Sequence, residues 1–211
     1  MSSKNRTLEL ISARAPRHAL SRELYRDAEV YQQDLEQIWH REWVFVGHTF
    51  EIPKAGQYLT VQIGDYPVVI VRDDSGNVRA FHNACRHRGS RLCAEKQGKV
   101  AKLVCPYHRW TFGLDGKLLF AANMGEKFNN DDHGLLPVHC ETVHSYVYVC
   151  VAEQAPDFEA FRQAVSPSSR RTTWRTARSP TSPTWSRKAT GSWYSRTTAS
   201  ATTATATTRN C

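Results

Sequence analysis

The chain has 211 residues, 40% of them hydrophobic, and a formal net charge of +8, enough length for one domain or a small pair with a buried core. The charge does not argue for a nucleic-acid partner: residues 1–165 hold 20 basic and 20 acidic side chains, and the whole excess lies in 166–211, which contains no acid. The N-terminus lacks a continuous apolar leader core, no run of about eighteen apolar residues occurs, and the six cysteines show no disulfide grammar, so the expectation is a cytoplasmic chain with no membrane partner.

Residues 1–40 are expected to form a helical arm. Asp27 can cap a helix over 27–42 in which Val30, Tyr31, Leu35, Ile38 and Trp39 recur at helical spacing, giving one face to pack on the domain C-terminal to it. His18, His40 and His48 share no ligand spacing and are read as surface or ordinarily hydrogen-bonded histidines.

From Trp43 the pattern turns to short strands rich in β-branched and aromatic residues: VFVGHTF, QYLTVQI, YPVVIVR, VRAFH, KLVC, RWTFGL, KLLFA, LLPVHC and SYVYVCVA. Turn chemistry at Gly64-Asp65, Asp73-Asp74-Ser75-Gly76-Asn77 and Asp115-Gly116 separates them, which argues for a small antiparallel β-sandwich or barrel. Cys93, Cys140 and Cys150 are expected as buried or half-buried thiols.

Two metal-binding pairs interrupt these strands. Cys85-x-His87 and Cys105-Pro106-Tyr107-His108 stand seventeen residues apart, so each of two loops offers one thiolate and one imidazole. In a Rieske [2Fe–2S] centre two cysteines hold one iron and two histidines the other. A single tetrahedral zinc is the competing reading. Zinc motifs usually pair like with like at each end and place the histidines on a helix, whereas here each end is mixed and Trp110-Thr111-Phe112 reads as strand. Gly89 and Pro106 would let backbone amides approach the sulfurs, Trp110 would cover the centre or simply fill core, and Arg86, Arg88 and Arg91 form either a solvated face or a dock for an acidic partner.

The motifs C-x-H-R-G and C-P-Y-H-x-W-x-F, with the stretches PVVIVRDDSGNVRAFHNACRHRGSRLC and AKLVCPYHRWTFGLDGKLLFA, resemble the Rieske domain of the alpha subunits of Rieske non-haem iron ring-hydroxylating oxygenases. Within that family they are most similar to the quaternary-amine branch, such as the glycine betaine and stachydrine demethylases. The resemblance spans about residues 7–165. It implies a mainly β fold, a Rieske-type antiparallel β-sandwich over 41–160 with a two-loop cluster site, after the helical arm and before a disordered tail. It implies a [2Fe–2S] cluster on Cys85, His87, Cys105 and His108, with no catalytic residue in the printed chain. It implies electrons received from a flavin-containing reductase and passed to a mononuclear Fe(II), usually in the neighbouring subunit of a homotrimer, for hydroxylation or oxidative N-demethylation. A freestanding Rieske ferredoxin is the alternative carrier, and a zinc-binding interaction module the alternative from another class. High-potential Rieske proteins carry extra loop cysteines and a sulfur-bonding serine where this chain has Ser90, Tyr107 and Trp110, so fewer sulfur hydrogen bonds and a low potential are expected. A histidine-ligated cluster should also lose potential as pH rises from neutral to alkaline.

The tail 166–211 contains no Leu, Ile, Val, Met or Phe and cannot build a core. It is compatible with a coding frame read out of register. With each codon started one base earlier, one choice of wobble bases turns residues 189–208 into GNWKLVLENNRECYHCNGNH, similar to the family segment that opens the mononuclear iron site. The shifted acid lies over printed Ser200 and the shifted histidines over printed Thr203 and Thr208. As printed, none of those 2-His-1-carboxylate ligands exists.

Overall fold

Three tight hairpins build most of the sheet. In the computed structural model, which describes residues 3–169, β2 (Gln57–Ile63) turns at Gly64-Asp65 into β3 (Tyr66–Arg72), and β3 turns through Asp73–Asn77 into β4 (Val78–His82), as the turn residues predict. The third hairpin joins β9 (Pro137–Val143) to β10 (Tyr146–Cys150) across His144-Ser145. His144 adopts φ +55°, and the sequence carries no glycine there to signal it.

With β1 (Val44–His48) and β5 (Gln97–Lys99) these strands form a seven-stranded antiparallel sheet in the order β1-β10-β9-β4-β3-β2-β5. A second, three-stranded sheet contains β6 (Leu103–Val104), β7 (Thr111–Phe112) and β8 (Leu118–Phe120). Strand β5 escapes pattern reading because QGK has no apolar alternation. Its Gly98 lies opposite Tyr58, whose hydroxyl oxygen would stand 2.7 Å from any Cβ added there.

Strand β3 explains the layering. Val68, Val69, Ile70 and Val71 are all fully buried, so both faces of the strand are covered. Val68 and Ile70 pack with Ile52, Leu59, Ile63, Val138, Val147 and Val149 inside the curl of the large sheet, which makes it a half-barrel. Val69 and Val71 pack with Tyr58 and Phe81 beneath Cys85, Leu92, Leu103, Cys105, Trp110 and Phe112, where the small sheet and the ligand loops sit. Each fully buried aliphatic side chain contributes about 1.5–3 kcal/mol, so the loops rest on a stiff floor.

The arm departs from the single helix expected over 27–42. Helices α1 (Ser3–Ser12), α2 (Glu23–Arg26) and α3 (Ala28–Asp34) lead into a π-helical turn at Leu35–Trp39, closed by the His40 amide donating to the Leu35 carbonyl at 2.8 Å. Asp27 does cap α3, accepting from the amides of Glu29 at 2.9 Å and Val30 at 3.4 Å. The wider turn breaks the 3.6-residue repeat. Val30 and Leu35 are buried, whereas Tyr31, Ile38 and Trp39 are about half exposed, correcting the expected common face.

Helix α4 (Phe158–Ser169) was not legible as a separate element. Its Phe158 meets Trp43 at 4.7 Å between ring centroids, its Phe161 meets Tyr148 at 5.0 Å, and it crosses the boundary placed at 166. The remainder of the tail, with the disorder expected for it, lies outside the described residues. No helix among the described residues is long and apolar enough to cross a membrane.

Candidate metal centre

The two ligand loops are the same turn built twice. In the first, the Cys85 amide donates to the Ser90 carbonyl at 2.8 Å and the Gly89 amide donates back to the Cys85 carbonyl at 2.9 Å. In the second, the Cys105 amide donates to the Trp110 carbonyl at 2.8 Å and the Arg109 amide to the Cys105 carbonyl at 3.1 Å. The fifth residue of each turn is left-handed, Gly89 at φ +69° and Arg109 at φ +63°. This geometry folds the amides that follow each cysteine back onto its sulfur: those of His87 and Arg88 onto Cys85, and those of Tyr107 and His108 onto Cys105.

The four predicted ligands come together, and they segregate by element. The Cys85 and Cys105 thiols hydrogen-bond to each other, and both residues are buried, at 3% and 1% exposure. The Nδ1 atoms of His87 and His108 face each other at 3.1 Å, with both rings half-buried. No three His, Cys, Asp or Glu side chains among the described residues converge on one metal point. A sulfur pair beside a nitrogen pair that share no single metal point suits a two-iron cluster better than one tetrahedral zinc.

Electrostatics favour the ligating protonation states of Cys105 and His108 but not of Cys85. Burial alone would raise the Cys105 pKa, but the His108 and Tyr107 amides, the Cys85 thiol and the Ser90 hydroxyl outweigh it and bring it below the ordinary thiol range. Cys85 is pushed up, first by burial and then by its bond to Cys105. Burial, then the positive charges of His87 and Arg88, lowers the His108 pKa and keeps available the neutral ring that metal ligation requires.

Trp110 lies flat against His87, with centroids 4.9 Å apart and planes at 10°, and is only 2% exposed. Behind it Phe128 and His133 stand edge-on at 5.5 and 6.0 Å, and His133 is held by the Asn129 carbonyl at 2.9 Å. The loop carrying Phe128 and His133 went unnoticed in the sequence because its residues follow no ligand or strand spacing. Ser90 was read only as the replacement of a cysteine, and its hydroxyl proves to bond the Cys105 sulfur. Tyr107 is 60% exposed, and Arg86, Arg88 and Arg91 are exposed too, Arg91 donating to Gln62 Oε1 at 3.1 Å.

Among the described residues Cys93, Cys140 and Cys150 are also free thiols, and Cys93 packs in the same buried cluster as Cys85 and Cys105. Burial pushes Cys93 up to about 11 and Cys140 up to about 12, and Cys150 is fully buried. His18 contacts the Pro16 carbonyl at 3.0 Å, His40 packs edge-on against Tyr66 at 4.9 Å and His48 stacks on Phe50 at 4.7 Å, none of them near the ligands.

Residues 42–140 match the family of Rieske [2Fe–2S] domains. The chain carries a Rieske domain, and that domain is similar to those of oxygenase alpha subunits. The chain is 49% identical over 159 residues to the glycine betaine monooxygenase oxygenase subunit of Chromohalobacter salexigens, covering 75% of this chain and 36% of that one. The corresponding subunit of Pseudomonas aeruginosa is 46% identical over 156 residues, covering 74% and 36%. Among solved structures, the quaternary ammonium Rieske monooxygenase CntA in complex with L-carnitine superposes with TM-score 0.65 at 30% identity, over 71% of this chain and 43% of that one. Naphthalene 1,2-dioxygenase with indole in its active site gives 0.62 at 34%, over 67% and 33%. The chain therefore spans about a third of the length of the curated relatives it matches. The group such a domain carries is the [2Fe–2S] cluster, and the segregated thiol and imidazole pairs fit it.

Proposed function

We propose that Cys85 and Cys105 hold one iron of the cluster and His87 and His108 the other, and that the domain relays single electrons into an oxygenase. The observation that carries this reading is the pairing of sulfur with sulfur and nitrogen with nitrogen across two loops. When bound, the cluster supplies one reversible electron. The protein's part is to support the charge on the sulfurs with four loop amides and the Ser90 hydroxyl, to shield one side with Trp110, and to keep the imidazoles near the surface, where electrons enter and leave.

The similarity to glycine betaine monooxygenase subunits supports a quaternary amine as the substrate class of the intact protein, oxidised with dioxygen to release a methyl group. In that setting the electron donor is a flavin- and iron–sulfur-containing reductase, the acceptor is a mononuclear Fe(II), the assembly is a homotrimer and the compartment is the cytoplasm. Residues 166–211 are then the start of the catalytic domain read in a shifted frame, and the printed chain is a carrier without its oxygenase site. Sequencing the gene across codons 155–211 tests this, since a base restored near codon 167 recovers the acid and the two histidines and an intact printed frame overturns it.

The cluster assignment is tested by reconstituting the chain anaerobically with iron and sulfide. Two irons and two acid-labile sulfides per chain, with a Rieske-type electron paramagnetic resonance spectrum on reduction, are expected. Their loss in Cys85→Ser or His108→Ala while the fold persists is expected too. A colourless protein holding one zinc and no sulfide overturns the assignment.

A further inference from the structure

The first ligand loop is closed by a side chain that belongs to neither metal-binding pair. Asn83 is 1% exposed, and its carboxamide bridges the far end of the loop: Oδ1 accepts from the amides of Leu92 at 3.1 Å and Cys93 at 2.9 Å, and Nδ2 donates to the Cys93 carbonyl at 2.7 Å. Its own amide donates to the Pro67 carbonyl at 2.7 Å, which ties the bracket to the start of β3. A donor and an acceptor on one planar group match the N–H and C=O of a single backbone residue, as in a ladder pair. Aspartate keeps only the acceptors and would confront the Cys93 carbonyl, and an apolar residue would orphan two buried amides and a carbonyl.

We infer that Asn83 is a positioning residue for the cluster, acting through Ser90. Between the two ends that Asn83 ties lies the turn in which the Ser90 carbonyl accepts from the Cys85 amide while the Ser90 hydroxyl bonds the Cys105 sulfur. Leu92, held by the bracket, is buried in the same cluster of side chains as Cys85, Cys105 and Trp110. The bracket thus fixes the place from which one loop reaches the sulfur of the other. The step toward the cluster rests on the proposed [2Fe–2S] ligation, but the bracket itself does not.

Two measurements on the full chain separate these parts. In the metal-free chain, backbone amide exchange at Leu92 and Cys93 is expected to be about tenfold faster in Asn83→Ala and intermediate in Asn83→Asp, with Val69 and Ile70 unchanged. Exchange equal to wild type overturns the bracket. If Asn83→Ala loses protection throughout the sheet, Asn83→Asp carries the comparison. In the reconstituted chain, Asn83→Ala is expected to move the reduction potential in the same negative direction as Ser90→Ala, and the double variant no further than Ser90→Ala by itself. A wild-type potential in Asn83→Ala, or additive shifts in the double variant, overturns positioning through Ser90. A wild-type chain that takes up neither iron nor sulfide refutes the proposed ligation instead, and the exchange comparison still decides the bracket.

Discussion

Gly89 and Arg109 occupy the same place in the two ligand loops, both left-handed, at φ +69° and +63°. Each is the residue whose amide returns to the carbonyl of the loop's cysteine. A side chain in this region costs about 1–2 kcal/mol, and glycine avoids that. Arg109→Gly is therefore expected to stabilise the protein by about 0.5–1 kcal/mol, after the entropy glycine adds to the unfolded chain. Space beside Gly89 is open, so Gly89→Ala should cost about 1–2 kcal/mol through backbone strain rather than collision. Urea unfolding midpoints check both. A destabilised Arg109→Gly would mean that the guanidinium itself holds the loop.

Ser90 donates to the Cys105 sulfur. A hydrogen bond to a ligand sulfur favours the reduced, more negative cluster, so Ser90→Ala is expected to lower the reduction potential. A differential hydrogen-bond contribution of about 1 kcal/mol corresponds to a shift of some tens of millivolts for one electron. Protein-film voltammetry on the reconstituted chain reads the shift, and a rise in potential contradicts the role.

Trp110 both fills core and stacks on His87. Trp110→Ala should cost about 3–5 kcal/mol and shorten the lifetime of the cluster in air. Trp110→Phe keeps a flat ring against the imidazole and should recover most of the lifetime while leaving part of the stability lost. Thermal melts and the decay of visible absorbance separate the two effects; equal lifetimes in both variants would assign Trp110 to the core alone.

Asp73 is 4% exposed and sits in the β3–β4 turn, accepting from Arg79 Nε at 2.6 Å and the Asn77 amide at 2.7 Å. Burial pushes its pKa up, but these bonds, a weaker one from Asn77 Nδ2 and the charge of Arg79 outweigh burial and hold it below the usual carboxylate range. The native state thus binds this proton less readily than the unfolded chain. The stability Asp73 contributes is complete above its unfolded value of about 4 and is lost as pH falls through the lower folded value. Asp73→Asn should be less stable than wild type at pH 7, and the gap should narrow as pH falls below about 4. Chemical denaturation across pH 2.5–7 tests this, and a constant gap would contradict it.

Much of this was legible in linear order. Hairpin turns at Gly64-Asp65 and Asp73–Asn77 depend on local backbone preferences, and the alternating and apolar runs that make β2, β3, β4 and β10 are properties of contiguous residues. Cys85, His87, Cys105 and His108 stand out by spacing, because each cysteine–histidine pair falls within a single turn. The arm and the edges were less legible. The π-helical turn at Leu35–Trp39 exposes Tyr31, Ile38 and Trp39, and β5 pairs through a polar segment whose only requirement is a small residue opposite Tyr58.

The sequence by itself determined which donors exist and that each loop mixes sulfur with nitrogen, since those facts are covalent and local. Only the tertiary structure decided that Cys85 meets Cys105 while His87 meets His108, that Ser90 of one loop serves the sulfur of the other, and that Asn83 ties the loop ends together. These contacts cross between segments that become neighbours only when the small sheet and both loops settle on the buried face of β3. No spacing along the chain encodes them, because their geometry is set by packing against Val69 and Val71.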